Sequence, residues 1–415
     1  MPRPTLSLCM IVRDEATMLP DCLASVRGIV DQIVIVDTGS KDRTREIGEA
    51  AGAVVIEHPW QGNFAAARNA ALPHATGDFI LILDADERLA PTAGNVLHAA
   101  VQDPTFHLGF LPLHNADRLN ATPEQILSGA ARRGDPVLLP RLLKKTPDLQ
   151  WQGIVHENVD AWILKDGRRA VEVPAPIIHL GNVDEISIAR KKTERNTTLL
   201  ARAVALSPED PQLRSWLARE LLRTGQADRA RQEAEVAWKS MVTALNAGLK
   251  PAVVLTASLV GFLRLEDNDW DGVLEVINTT APYAGDHPNL FLLEGVARQQ
   301  RAAEGDLERA AQVLRQAIAQ HGKMFTAESM PGATSWSARM QLGFVALRAG
   351  APEQALAQFS EALSANPEQI HSRLGAAESL AAMGRHGDAL QVVEPALPTG
   401  GSDGWIIAAA AAAAP

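Results

Sequence analysis

At 415 residues the chain is too long for one hydrophobic core, so two domains are expected. Apolar residues make up 46% and charged residues 21%, which excludes a largely disordered chain. The net charge of -10 argues against nucleic acid, and against anionic lipid except through a local basic patch such as Arg132-Arg133 or Lys144-Lys145.

The first apolar run, Leu6 to Val12, is followed by Arg13-Asp14-Glu15, where a secretion signal would want small residues. No run approaches the roughly 18 apolar residues of a membrane span. The two cysteines, Cys9 and Cys22, read as buried bystander thiols in a reducing compartment. A cytoplasmic protein with no transmembrane segment is therefore expected.

Further apolar runs follow at Ile33 to Val36, Val54 to Ile56 and Phe79 to Leu83, alternating with the helical stretches Met18 to Val26, Arg43 to Ala51 and Phe64 to Leu72. Such alternation predicts a parallel sheet, with Ser40 capping the second helix. Ligands of open parallel sheets sit beyond the carboxyl ends of the strands. Val12 with Asp14, then Asp37-Thr38-Gly39-Ser40, then Asp84-Ala85-Asp86 occupy three such ends. Gly39 can take a positive φ, and Asp37 suits a base N–H or a ribose hydroxyl. The same four residues, 37–40, also make a plain strand-to-helix turn. Residues i and i+2 of an extended segment point the same way, so Asp84 and Asp86 are expected to converge on one divalent cation, with Ala85 small between them. Arg68 lies mid-helix among alanines; it is either a nucleotide contact or a solvated arginine. Trp60 is assigned to packing.

Taken together, Leu8 to Glu15, Val34 to Thr44, Ala67-Arg68-Asn69 and Leu83 to Glu87 resemble family 2 glycosyltransferases, most closely the bacterial branch of lipopolysaccharide-core glucosyltransferases. The resemblance covers about the first half of the chain. It implies an α/β GT-A (Rossmann-like) nucleotide-sugar-binding domain, a donor that is often a UDP-sugar, a divalent metal (Mn2+ or Mg2+) and inversion at the anomeric carbon. It also implies that Asp37 contacts the base, Arg68 the nucleotide or a phosphate, Asp84 ribose or metal, and that Asp86 is the main metal ligand. The donor set is read as Val12, Asp14, Asp37, Gly39, Ser40, Arg68, Asp84 and Ala85.

Farther on, Phe106 to Leu113 and Pro136 to Leu143 are expected strands around a polar helical insertion suited to an acceptor. Trp151 to Glu157 resembles the His-Glu motif of this branch. An inverting displacement needs one group to take the acceptor's proton, and Glu157 is assigned that role with His156 as its orienting neighbour. His179, ending the run Ile177-Ile178, is a candidate third metal ligand or a structural histidine. Lys191 and Lys192 on the next helix are either diphosphate contacts or solvated lysines.

From about Val183 the pattern becomes helical. Gly225, Gly305, Gly350 and Gly384 are each followed five positions later by alanine, and Gly350 and Gly384 lie 34 positions apart, the tetratricopeptide period. A degenerate copy is placed at Asn268 to Val273, and an insertion at Gly322 to Thr334. The expected division is a glycosyltransferase domain over 1–190, an all-α tetratricopeptide-repeat solenoid over 191–400 and a tail over 401–415 whose alanine run, 408–414, is left unassigned.

These readings combine into an inverting, metal-dependent hexosyltransferase. It would move a sugar to a hydroxyl or thiol of a glycan, a lipid-linked acceptor or a protein or peptide, either in the cytoplasm or peripherally at the inner membrane face. The repeats would serve a peptide partner or a homodimer. The alternative is a tetratricopeptide scaffold or peptide-binding protein with a non-catalytic GT-A domain.

Overall fold

The structure, a computed structural model, describes residues 3–103, 105–183, 192–249 and 251–394. Lys191, the side chain of Lys192, the expected boundary at 190 and the alanine tail lie outside the described residues.

Strand β1 (Leu6–Val12) pairs in parallel with β2 (Gln32–Asp37) and β4 (Phe79–Ile82), and β2 with β3 (Val54–Glu57). Helices α1 (Leu19–Ser25), α2 (Thr44–Ala50) and α3 (Phe64–Ala71) connect them, as the alternating pattern requires. Period-2 alternation divides β1 between two cores: Leu6, Leu8, Met10 and Val12 join Leu19, Cys22 and Leu23 of α1 on one face, whereas Cys9 faces Ala65 and Ala71 of α3 on the other. Both thiols are buried and unpaired by disulfides, and burial raises the Cys9 pKa to about 12, as inert packing cysteines require.

Beyond β4 the sheet turns mixed. Strand β7 (Val137–Lys144) runs antiparallel to β4 and to β6 (Leu108–Asn115). Strand β9 (Ile177–His179) pairs in parallel with β6 and antiparallel with the short β5 (Glu87–Leu89). The order is β3-β2-β1-β4-β7-β6-β9-β5, with β8 (Ala170–Glu172) added to β6 off this path. This mixed half carries the end of β9 back beside the turn after β4. The insertion between β6 and β7 contains one short helix, Pro123–Ser128, closed by a Thr122–Gln125 capping box.

Contacts group Met1–Ala230 with Met324–Glu328 as one compact unit, and Arg231–Lys323 with Ser329–Pro415 as a second. The first therefore continues through the helices Lys192–Leu206 and Pro211–Arg223, past residue 190. The segment 324–328 falls in the insertion expected from the irregular repeat spacing; its Phe325 carbonyl accepts from the Leu138 N–H at the start of β7 (2.8 Å).

The repeat signature holds at the level of backbone angles. Gly225, Gly305, Gly350 and Gly384 have φ of 74°, 78°, 72° and 72°, and Asn268 takes the same left-handed turn at 58°. Ala230, Ala310, Ala355, Ala389 and Val273, the residues five positions on, are all fully buried. In the second unit Phe359 is wedged so closely that a Cβ on Gly375 would stand 2.2 Å from its ring.

Candidate active site

The carboxyl ends of β1, β2 and β4 open on a cavity of about 690 Å³. Val12, Asp14, Arg68, Asp84, Ala85, Asp86, His156, Glu157 and His179, all singled out in the sequence, line it. Asp37, Gly39 and Ser40 instead build the turn that shapes its wall, and Thr38 is the lining residue there. Asp37 is buried, with its carboxylate accepting from the Ser40 N–H and hydroxyl; the same hydroxyl accepts from the Asp14 N–H (2.9 Å). Ser40 thus ties two strand ends together and does not cap α2, which has no side-chain cap. Gly39 has the expected positive φ, 108°.

The strand alternation expected to align Asp84 and Asp86 does not extend to them, because β4 ends at Ile82 and residues 84–87 form a turn closed by Glu87 N–H to the Asp84 carbonyl (3.0 Å). Asp84 turns toward two guanidiniums, Arg68 Nη2 at 3.1 Å and Arg141 Nη2 at 3.6 Å. Burial opposes its ionised form, but Arg68 and then Arg141 outweigh that and hold the carboxyl below the usual carboxylate range. Asp86 turns toward His179, with Oδ1 and Nε2 3.7 Å apart. Among the described residues no three of His, Cys, Asp and Glu form a metal-holding group.

His179 is oriented by Asn115, whose Oδ1 lies 2.7 Å from Nδ1. An amide oxygen can only accept, so Nδ1 carries a proton and Nε2 is the ring nitrogen that faces Asp86. Asp86 and His179 put a carboxylate and an imidazole side by side, a donor pair able to hold one divalent cation.

Arg68 is neither solvated nor free for a phosphate alone. Its side chain is 8% exposed; Nε donates to Glu157 at 2.5 Å and Nη2 to Asp84, while buried Nη1 has no hydrogen-bond partner. Asn69, the next residue, brackets the Trp151 backbone, donating to its carbonyl (2.9 Å) and accepting from its N–H (2.8 Å). The two side chains therefore organise residues 151–158, a loop closed by reciprocal bonds between Gln152 and Asn158 (2.9 and 3.0 Å). At its tip His156 has φ of 50°, a left-handed conformation that costs a non-glycine residue roughly 1–2 kcal/mol. Burial, then Arg219 and Arg223, lowers its imidazole to about 4, so His156 is neutral near pH 7 and fits the orienting role better than a proton carrier.

Several participants were not foreseen. Arg141 and Glu87 form a buried ion pair beside Asp84; burial raises Glu87 to about 7 against the opposing pull of Arg141. A charged residue inside the apolar run 137–143 was the available signal for Arg141. Trp60, expected to pack, packs edge-on against Phe64 (4.7 Å) and also lines the cavity. Arg195 and Asn196, from the helix after β9, line it too, with no local signal in the sequence.

A mixed sheet of this order, an acidic turn after its central strand and a following set of helical repeats define a GT-A-type glycosyltransferase domain joined to tetratricopeptide repeats. Residues 7–163 match the profile of glycosyl transferase family 2, and residues 346–412 that of a tetratricopeptide repeat, so the chain carries a family 2 glycosyltransferase domain together with such repeats. A TPR repeat-containing protein of Synechococcus elongatus is 38% identical over 226 residues, 53% of this chain and 53% of its own length. An uncharacterized glycosyltransferase of Rickettsia felis is 38% identical over 85 residues, 20% of this chain and 30% of its own. The chain thus spans about half or less of these relatives. A solved glucosyl-3-phosphoglycerate synthase of Mycobacterium tuberculosis shares 19% identity at a TM-score of 0.23, over 26% of this chain and 44% of its own. No helix among the described residues is long and apolar enough to cross a membrane.

Proposed function

We propose that the chain transfers a sugar, with inversion, from a nucleotide diphosphate sugar of the UDP-hexose class to an acceptor hydroxyl or thiol. The observation that carries this reading is the placement of Glu157, anchored by Arg68, in the same cavity as the Asp86–His179 pair. Asp86 and His179 would hold a divalent cation. When bound, that cation offsets charge on the departing diphosphate, which is greater in the transition state than in the ground state.

The remaining work falls to side chains. Glu157 takes the acceptor's proton; one of its oxygens is held by Arg68 Nε, and the other is assigned to the acceptor. Arg68 adds its positive charge to the cavity wall while its Nε and Nη2 hold Glu157 and Asp84. The turn of residues 37–40, with Val12 and Asp14, receives the nucleotide, and Arg195 adds positive charge to the same wall. The repeats hold a protein or peptide acceptor, or a second copy of the chain.

One observation favours the rival reading, a scaffold with a non-catalytic domain: the ion pair with Arg68 would equally suit a structural Glu157. UDP release from a panel of UDP-hexoses, with Mn2+ and with chelator, separates the two. Turnover that needs the metal, disappears in Asp86→Ala and falls in Glu157→Gln with donor binding retained supports transfer. Absence of UDP release under every condition supports the scaffold.

A further inference from the structure

The ring of His156 lies flat on the indole of Trp216, with centroids 3.9 Å apart and planes 13° from parallel. Trp216 belongs to the helix Pro211–Arg223, which the sequence division places with the repeats and which ends just before the Gly225 turn. The same indole carries the Arg219 guanidinium 4.1 Å from its ring centroid, and Arg219 pairs with Glu328 of the segment 324–328 at 2.8 Å. Glu328, Arg219, Trp216 and His156 form a column that ends one residue before Glu157.

The column bears on the loop's conformation as well as on its packing. His156 is left-handed at φ 50°, a state a β-carbon disfavours, so an external contact must hold it. Its Nε2 is buried with no hydrogen-bond partner, and at that nitrogen no polar contact competes with the stack in setting the ring. The base of the loop is secured separately, by Gln152 with Asn158 and by the Phe64 N–H donating to the Ile154 carbonyl (3.0 Å). Those bonds fix where the loop begins and ends. The stack fixes which way its tip turns.

We propose that Trp216 is a positioning residue for the transferase: by holding His156 left-handed, it sets Glu157 against Arg68 at the cavity wall. The helix Pro211–Arg223, assigned by sequence to the repeats, is then a working part of the site. The kinetic half of this inference rests on the transferase reading, whereas the positional half stands on the geometry alone.

The test compares full-length wild-type protein with Trp216→Ala, Trp216→Leu and Trp216→Phe. Two readouts are taken: hydrogen–deuterium exchange, and UDP release from UDP-glucose with Mn2+. Trp216→Ala and Trp216→Leu are expected to speed exchange across the loop, read at the Gln152 and Asn158 amides that close it, while strands β1, β2 and β4 keep their protection. They should lower kcat about tenfold to a hundredfold, the scale of a small misplacement, with KM for UDP-glucose within about twofold. Trp216→Phe, which keeps a flat ring, should restore most of both. Unchanged exchange overturns the positional claim whether or not UDP is released. Faster exchange with unchanged kcat overturns the kinetic claim. Faster exchange in a protein whose wild type releases no UDP sinks the transferase reading and leaves the positional claim standing. Should the alanine variant lose protection throughout the sheet, the leucine and phenylalanine variants decide: equal exchange and equal kcat in those two refutes the stack.

Discussion

Replacing Arg68 with methionine removes the cation that joins Glu157 to Asp84 while keeping a long apolar side chain. Arg68 is 8% exposed and Glu157 13%, so their contact at 2.5 Å is a buried pair, and taking away one partner leaves a carboxylate stranded. Breaking a buried pair costs about 3–5 kcal/mol. Asp84 adds little to this: its side chain is 38% exposed and Arg141 remains 3.6 Å away. The lower end, about 3 kcal/mol, is therefore expected for Arg68→Met. In a domain of this size that corresponds to a fall of about 6–12 °C in melting temperature.

Arg68→Met combined with Glu157→Gln strands no charge at that position. The double variant should therefore be more stable than the sum of the single losses by about 2 kcal/mol. Urea unfolding near pH 8, followed by tryptophan fluorescence, reports on this region because Trp151 lies 5.3 Å from the guanidinium. The reasoning fails if Arg68→Met costs less than about 1 kcal/mol, or if the two losses add within about 0.5 kcal/mol.

Asn69→Ala removes both bonds to the Trp151 backbone and should cost about 1–3 kcal/mol while lowering UDP release; unaltered stability would show that the loop is held elsewhere. His114 on β6 is buried, and that burial, reinforced by Arg132, lowers its imidazole to about 4. The unfolded chain takes up its proton near pH 6.5, so this contribution to stability is complete above pH 6.5 and declines, by about 1.4 kcal/mol per pH unit, as pH falls toward 4. Unfolding midpoints at pH 7, 5.5 and 4.5 should show a shallower acid decline in His114→Gln, and an identical slope would contradict the assignment. Gly375→Ala places a methyl 2.2 Å from the Phe359 ring and should destabilise the second unit by about 1–3 kcal/mol, read as loss of helical signal at lower urea; a neutral variant would show that Phe359 has room to move.

What could be read from the chain was local. Leu6 to Val12 alternates between two faces of the sheet because consecutive side chains of a strand point oppositely, and that rule needs no knowledge of the partner strands. Gly350 and Ala355 mark a repeat because a left-handed turn and a close helix approach each demand a small residue at a set offset. Asp84 and Asp86 were recognisable as cavity residues by their place after a buried run. Their different partners were not, since these depend on β4 ending at Ile82 and on the turn over residues 84–87.

The rest lay in contacts that local pattern does not encode. Arg68 meets Glu157 across 89 positions, and His179 receives its orientation from Asn115 across 64. Trp216 reaches His156 from a helix that the sequence assigns to the repeats.

By itself, then, the sequence determined the two kinds of architecture, the strand ends that form the cavity and about half of the residues that line it. Only the tertiary structure decided that Arg68 bridges two carboxylates, that Asp86 faces His179 while Asp84 faces arginines, and that a tryptophan supports the His-Glu loop. Secondary-structure periodicity arises from covalent neighbours, whereas the partner of a buried charge is chosen by packing, where ionised groups must find opposite charges or donors among residues remote in the chain.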